Sequence, residues 1–160
     1  MSAPLGHTML LLPREPLSVG DESLKVPTHI SLLPWCDLRP ARELSMQKIR
    51  AACSQTEPFS VLPGESIVVG AEGHTKQAQR MLSEDLKAFH RLIFDYLFNI
   101  GVSWSHPNWL GSNYSAHMTG GEIDTPMRVD EVTVLENIPY GAEYQGVKTV
   151  TEKVPLGEPK

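Results

Sequence analysis

Two short stretches of this 160-residue chain read alike: Thr28-His29-Ile30-Ser31 and Ala116-His117-Met118-Thr119. Each sets a histidine and a hydroxyl residue two positions apart. In a β-strand, positions i and i+2 point to the same face, so each stretch would project an imidazole and a hydroxyl together. Two such pairs facing each other supply two proton-transfer groups and two hydrogen-bond donors around one anion. Histidine suits both proton roles because its ordinary pKa lies near 6.5. Such a set can cleave a phosphodiester without a metal: a base on the incoming oxygen, an acid on the departing one, and donors for the non-bridging oxygens.

A motif this short needs context. In a chain with six histidines, about one His-x-Ser/Thr arises by chance. A strand histidine satisfied by a backbone carbonyl is the ordinary alternative for either one. His90 falls on the apolar face of a helical pattern and reads as structural. His7, His74 and His106 read as strand-end or loop residues, with His106 a candidate substrate contact.

The elements that would position the motifs follow from patterning. The apolar run Met9-Leu10-Leu11-Leu12 before Pro13 predicts a buried strand. Val26 to Leu33 predicts the strand bearing His29, ended by Pro34. Arg39-Pro40-Ala41 opens a helix that runs to about Ser54, with proline in the first turn. Pro58 to Leu62 and Ser66 to Val69 predict two strands joined by a turn at Pro63-Gly64. Gly70 to Arg80 is polar and reads as loop. Ser83-Glu84-Asp85 starts the clearest helix, with Leu86, Phe89, His90, Ile93, Leu97 and Ile100 at spacings of three and four and Gly101 as the stop. An aromatic-rich loop follows, then strands at Tyr114–Thr119, Arg128–Asn137 and Tyr144–Val154. Helices do not alternate regularly with single strands, so the class is α+β.

Composition narrows the function classes. At this length the chain is one domain, 1–160, with two lobes suggested by a rough duplication of helix plus motif-bearing strand. The net charge of −5 and the lack of a Lys/Arg cluster argue against a long duplex or single strand as partner, because grip on nucleic acid comes largely from neutralised phosphates. A small nucleotide or an RNA end needs only a few local donors. No apolar run approaches a membrane span, and no leader pattern is visible, so a cytoplasmic protein with no membrane partner is expected. Cys36 and Cys53 are expected to be free thiols. No zinc-ligand spacing, Walker or Rossmann pattern occurs, and Gly70-Ala71-Glu72-Gly73 does not match a phosphate-cradling loop. Arg39, Arg42, Arg128 and Lys148 are candidate phosphate aids that read better as solvated charge.

With these residues in view, the chain resembles the 2H phosphoesterases, the two-histidine superfamily that includes the 2′-5′ RNA ligase-like (LigT-like) and cyclic-phosphodiesterase-like proteins. The resemblance rests on His29-Ile30-Ser31 and His117-Met118-Thr119 and on the order of elements around them, from about Met9 to Val154. Departures are serine in place of the common threonine in the first motif, Ala116 where a proline often precedes the second, and Gly120-Gly121 after it. The resemblance implies a bilobal fold: two antiparallel sheets around a central cleft, helices outside, and the two motifs facing each other on central strands. It implies a phosphoric diester hydrolase acting on 2′,3′-cyclic phosphates, 2′-5′ linkages or cyclic nucleotides, with His29 and His117 as the acid–base pair and Ser31 and Thr119 binding the phosphate. Some members, including phage-encoded ones, degrade nucleotide signals of bacterial immunity; others join RNA ends in the reverse direction. The scheme calls for no metal and no cofactor. Trp35, Trp109 and Tyr114 are candidates for stacking a base. The rival class is a nucleotide- or RNA-binding module of the same fold without turnover. The sequence carries no signal for oligomeric state.

Overall fold

The computed structural model describes residues 7–69, 75–104, 107–138 and 147–157. His74, His106, the Gly70–Gly73 stretch and the first three residues of the expected last strand lie outside them.

Ten antiparallel strands and two α-helices make up the described chain. The strands are β1 (Thr8–Pro13), β2 (Glu22–Ser23), β3 (His29–Asp37), β4 (Phe59–Val69), β5 (Lys76–Leu82), β6 (Ser103–Trp104), β7 (His117–Thr119), β8 (Met127–Val129), β9 (Glu131–Ile138) and β10 (Val147–Pro155). The helices are α1 (Arg42–Ser54), entered through a 3-10 turn at Arg39–Ala41, and α2 (Glu84–Phe98). Strand order is β2-β10-β9-β1-β3-β7-β5-β4-β8, with β6 paired to β3. The α+β class holds. The two expected sheets are hydrogen-bonded into one curled run, and they meet where β3 pairs with β7, the two motif strands.

Both helices pack on the same side of this sheet. Met46, Ile49, Ala52 and Cys53 of α1 and Leu86, Phe89, Ile93 and Leu97 of α2 join Leu10, Leu12, Ile30, Leu32, Met118, Val132 and Val134 in one core. Each large apolar side chain among them, taken out of water, contributes about 1.5–3 kcal/mol. Helix α2 begins as its sequence demands: Ser83 Oγ accepts the Leu86 N–H at 3.0 Å, with Glu84 and Asp85 in the positive first turn. Gly101, at φ +81°, turns the chain away after it.

Several expectations need correction. Strand β3 does not end at Pro34 but runs on to Asp37. Its β7 pairing covers His29 and Ile30, and its β6 pairing covers Cys36 and Asp37, so the missing proline N–H falls between them. Pro63-Gly64 is not a hairpin turn. It is a register irregularity inside one long strand, β4, whose start pairs with β8 and whose remainder pairs with β5. The segment read as loop to Arg80 contains a strand from Lys76 onward. The expected strand over Arg128–Asn137 is two strands, broken at Asp130, which serve different neighbours. The strand at Tyr114–Thr119 shortens to His117–Thr119. Cys36 and Cys53 are free and buried, as expected. Among the described residues no helix is long and apolar enough to cross a membrane.

Candidate active site

The register of β3 on β7 assembles the motifs. His29 lies opposite Thr119 and Ile30 opposite Met118, which carries Ser31 opposite His117. Ile30 and Met118 are fully buried in the helix-side core. The alternate residues His29, Ser31, His117 and Thr119 therefore share the other face. The two histidines stand diagonally, each with the other motif's hydroxyl directly across. Gly120, at φ +92°, ends β7 at once, and its carbonyl accepts from Thr28 Oγ1 at 3.0 Å.

The imidazoles are held in the same way. His29 Nδ1 lies 2.6 Å from the Pro27 carbonyl, and His117 Nδ1 lies 2.9 Å from the Ser115 carbonyl. A carbonyl can only accept, so each Nδ1 carries its hydrogen and each Nε2 is left for chemistry. At rest the Ser31 hydroxyl donates to His29 Nε2 at 3.2 Å. The surroundings differ. His29 is 5 % exposed, while His117 is half-buried. Burial, above all, drives the His29 pKa down to about 4; the Pro27 carbonyl opposes this, and the charges of Lys76 and His117 add to it.

A brace lies beneath the site. His90, wholly buried on α2, donates from Nδ1 to the Leu32 carbonyl at 2.9 Å and accepts the Gly111 N–H on Nε2 at 2.9 Å. Tyr114 stacks on its ring, with centroids 3.8 Å apart, and donates its hydroxyl to the Ser31 carbonyl at 2.8 Å. His90 is structural, as its helical position suggested, and with Tyr114 it ties down β3 at Ser31 and Leu32. Burial lowers its pKa to about 4, so it stays neutral and keeps both bonds.

The aromatic candidates are not brought to the quartet as a group. Tyr114 is engaged by His90 and Ser31. Trp35 is buried with Met9, Leu11, Leu135 and Val150 in a smaller cluster. Trp109 is 47 % exposed, on a 3-10 turn between α2 and β7. Among the side cations, Arg39 pairs with Asp37 at 2.8 Å, and Arg42 reaches Glu136 and Glu152. Lys148 is buried in β10 rather than solvated.

The sequence reading missed the cations of β5. Ala78 lies opposite Thr119 and Arg80 opposite His117, so Lys76, Ala78 and Arg80 continue the quartet's face. Among the described residues no cluster of three or more His, Cys, Asp or Glu is arranged to hold a metal ion.

Comparison with solved structures places this fold. A phosphoesterase superposes with TM-score 0.57 at 11% identity, covering 97% of this chain and 100% of its own. The TT0787 protein of Thermus thermophilus gives 0.56 at 12% identity over 94% and 98%. E. coli LigT, crystallised with 3′-AMP, gives 0.55 at 10% identity over 97% and 100%. The fold is thus that of LigT-like phosphoesterases. No family model matches the sequence, and no curated protein does.

Proposed function

We propose that this chain is a metal-independent phosphodiesterase that cleaves 2′,3′-cyclic phosphates, 2′-5′ linkages or cyclic nucleotides by two-histidine acid–base catalysis. The observation that carries the reading is the β3–β7 register, which puts two imidazoles and two hydroxyls on one face with both Nδ1 atoms tied to backbone carbonyls. In the hydrolytic direction His29 is the base. Its buried ring is neutral at ordinary pH, so Nε2 can take a proton from the attacking water. The water oxygen bonds to phosphorus, the bond to the leaving ribose oxygen breaks, and His117 Nε2–H gives that oxygen its proton. The pair then exchanges one proton through solvent to reset. Ser31 and Thr119 donate to the non-bridging oxygens and hold the phosphate between the rings for in-line attack. In the ligation direction the roles swap.

A small nucleotide or RNA end is the substrate form that this acidic chain suits. E. coli LigT, with the same fold, has been crystallised with 3′-AMP, with phosphate and with NADP+. A cyclic nucleotide signal of bacterial immunity is the leading substrate variant, and the cytoplasm, where Cys36 and Cys53 stay thiols, is the setting. The test mixes the protein, with EDTA present, with a 2′,3′-cyclic mononucleotide, a 2′-5′ oligoadenylate and a panel of cyclic dinucleotides. Hydrolysis of any one is expected. Binding without turnover across the panel would instead identify a nucleotide-binding module, and activity abolished by chelator would refute the metal-free scheme.

A further inference from the structure

Strand β5 places two cations on the face the quartet shares, both on its β7 side, Arg80 level with His117 and Lys76 past Thr119. Arg80 is directly across from His117. Lys76 is two residues beyond Ala78, the partner of Thr119, and its charge is felt at His29. Two residues of strand span about 7 Å, so the cations flank the Ala78–Thr119 position at about that distance on either side. Lys76 is exposed, and no described acidic side chain pairs with it. Arg80 rests on Glu65 at 3.4 Å, a half-exposed contact of the kind worth little in water and readily exchanged for a phosphate. In a chain of net charge −5, this is an unusual allocation of positive charge. Neither group is needed to break one diester: the quartet already supplies base, acid and donors.

We propose that Lys76 and Arg80 bind the phosphates that flank the scissile one, so that the substrate is an oligonucleotide or cyclic oligonucleotide with a second phosphate one nucleotide away. This rests on the phosphodiesterase reading and narrows it against 2′,3′-cyclic mononucleotides. Positive charge placed along the path of a short backbone is how such sites hold successive phosphates.

Binding separates the two ideas. Turnover of any member of the substrate panel tests the enzyme; titration with 3′-AMP and with the dinucleotide ApAp, which keeps the 3′-terminal phosphate and adds one phosphate a nucleotide away, tests the flanking site. ApAp is expected to bind at least about tenfold tighter than 3′-AMP in low salt, with the gap shrinking as salt rises. In Lys76→Ala/Arg80→Ala the gap should collapse, and Lys76→Arg/Arg80→Lys should restore most of it. Equal affinities in the unsubstituted protein, or a gap that survives loss of both cations, would overturn the inference even if the enzyme is active. A tighter ApAp complex in a protein without turnover would uphold the site and sink the enzyme.

Discussion

The two motifs carry matching residue types in different surroundings. His29 sits in a nine-residue strand flanked by β1 and β7, almost without solvent. His117 sits in a three-residue strand that a glycine ends, and it is half-buried. Backbone carbonyls two residues back hold both rings alike, so the difference is not orientation. It is solvation. Burial penalises the charged imidazole and keeps the His29 ring neutral, while His117 is half-buried. The two motifs thus share residue types and the contacts that hold their rings, and differ in burial.

The largest effects should come from removing either ring. His29→Ala and His117→Ala are each expected to cut turnover by at least about 10²-fold, the lower end of what a positioned acid or base contributes. Steady-state rates on folded protein check this, and a folded variant at near-normal rate breaks the pairing. The hydroxyls come next. Ser31→Ala and Thr119→Ala should each lower kcat about tenfold or more, with Ser31→Thr and Thr119→Ser close to normal, because only the donor matters. Loss in KM alone would make them mere binding groups.

Smaller effects concern stability. His29 and His90 are both held down to about 4, whereas in the unfolded chain each titrates near 6.5. Between those values the unfolded state binds the proton and the native state does not. Stability should therefore be greatest above about pH 6.5 and fall as pH drops from there to about 4, by about 1.4 kcal/mol per pH unit for each group. Urea unfolding at a series of pH values reads it, and a flat profile over that window would contradict the buried, neutral rings. Tyr114→Phe removes one hydrogen bond to the Ser31 carbonyl, for about 1 kcal/mol of stability. If the brace positions β3, that variant also lowers kcat more than it raises KM.

What was legible in the sequence follows the same physics. Helix α2 was plain because its apolar spacing, its serine cap and its glycine stop all agree. The motif strands were visible because one side of each is apolar. Strand β5 was not: Lys76, Gln77, Gln79 and Arg80 are polar on both faces, and the alternation that marks a strand shows only when one face is apolar. One of those polar faces continues the face of the two motifs. Pro34 and Pro63 misled for a related reason. A proline ends a strand only where its missing N–H is needed, and pairing partners are not written in the local sequence. The register of β3 on β7 is likewise a tertiary fact, since the motifs name the four side chains but not their shared face. Tyr114 read as a ligand platform because nothing local showed His90 beneath it.

The most direct test of the divided roles is the pH dependence of kcat/KM on a 2′,3′-cyclic nucleotide or on the best substrate of the panel, with EDTA throughout. The prediction is a profile whose acid side falls away near pH 4, where His29 takes up its proton. An acid limb near 6.5 that persists in His29→Ala would contradict the assignment of His29 as the buried, neutral base.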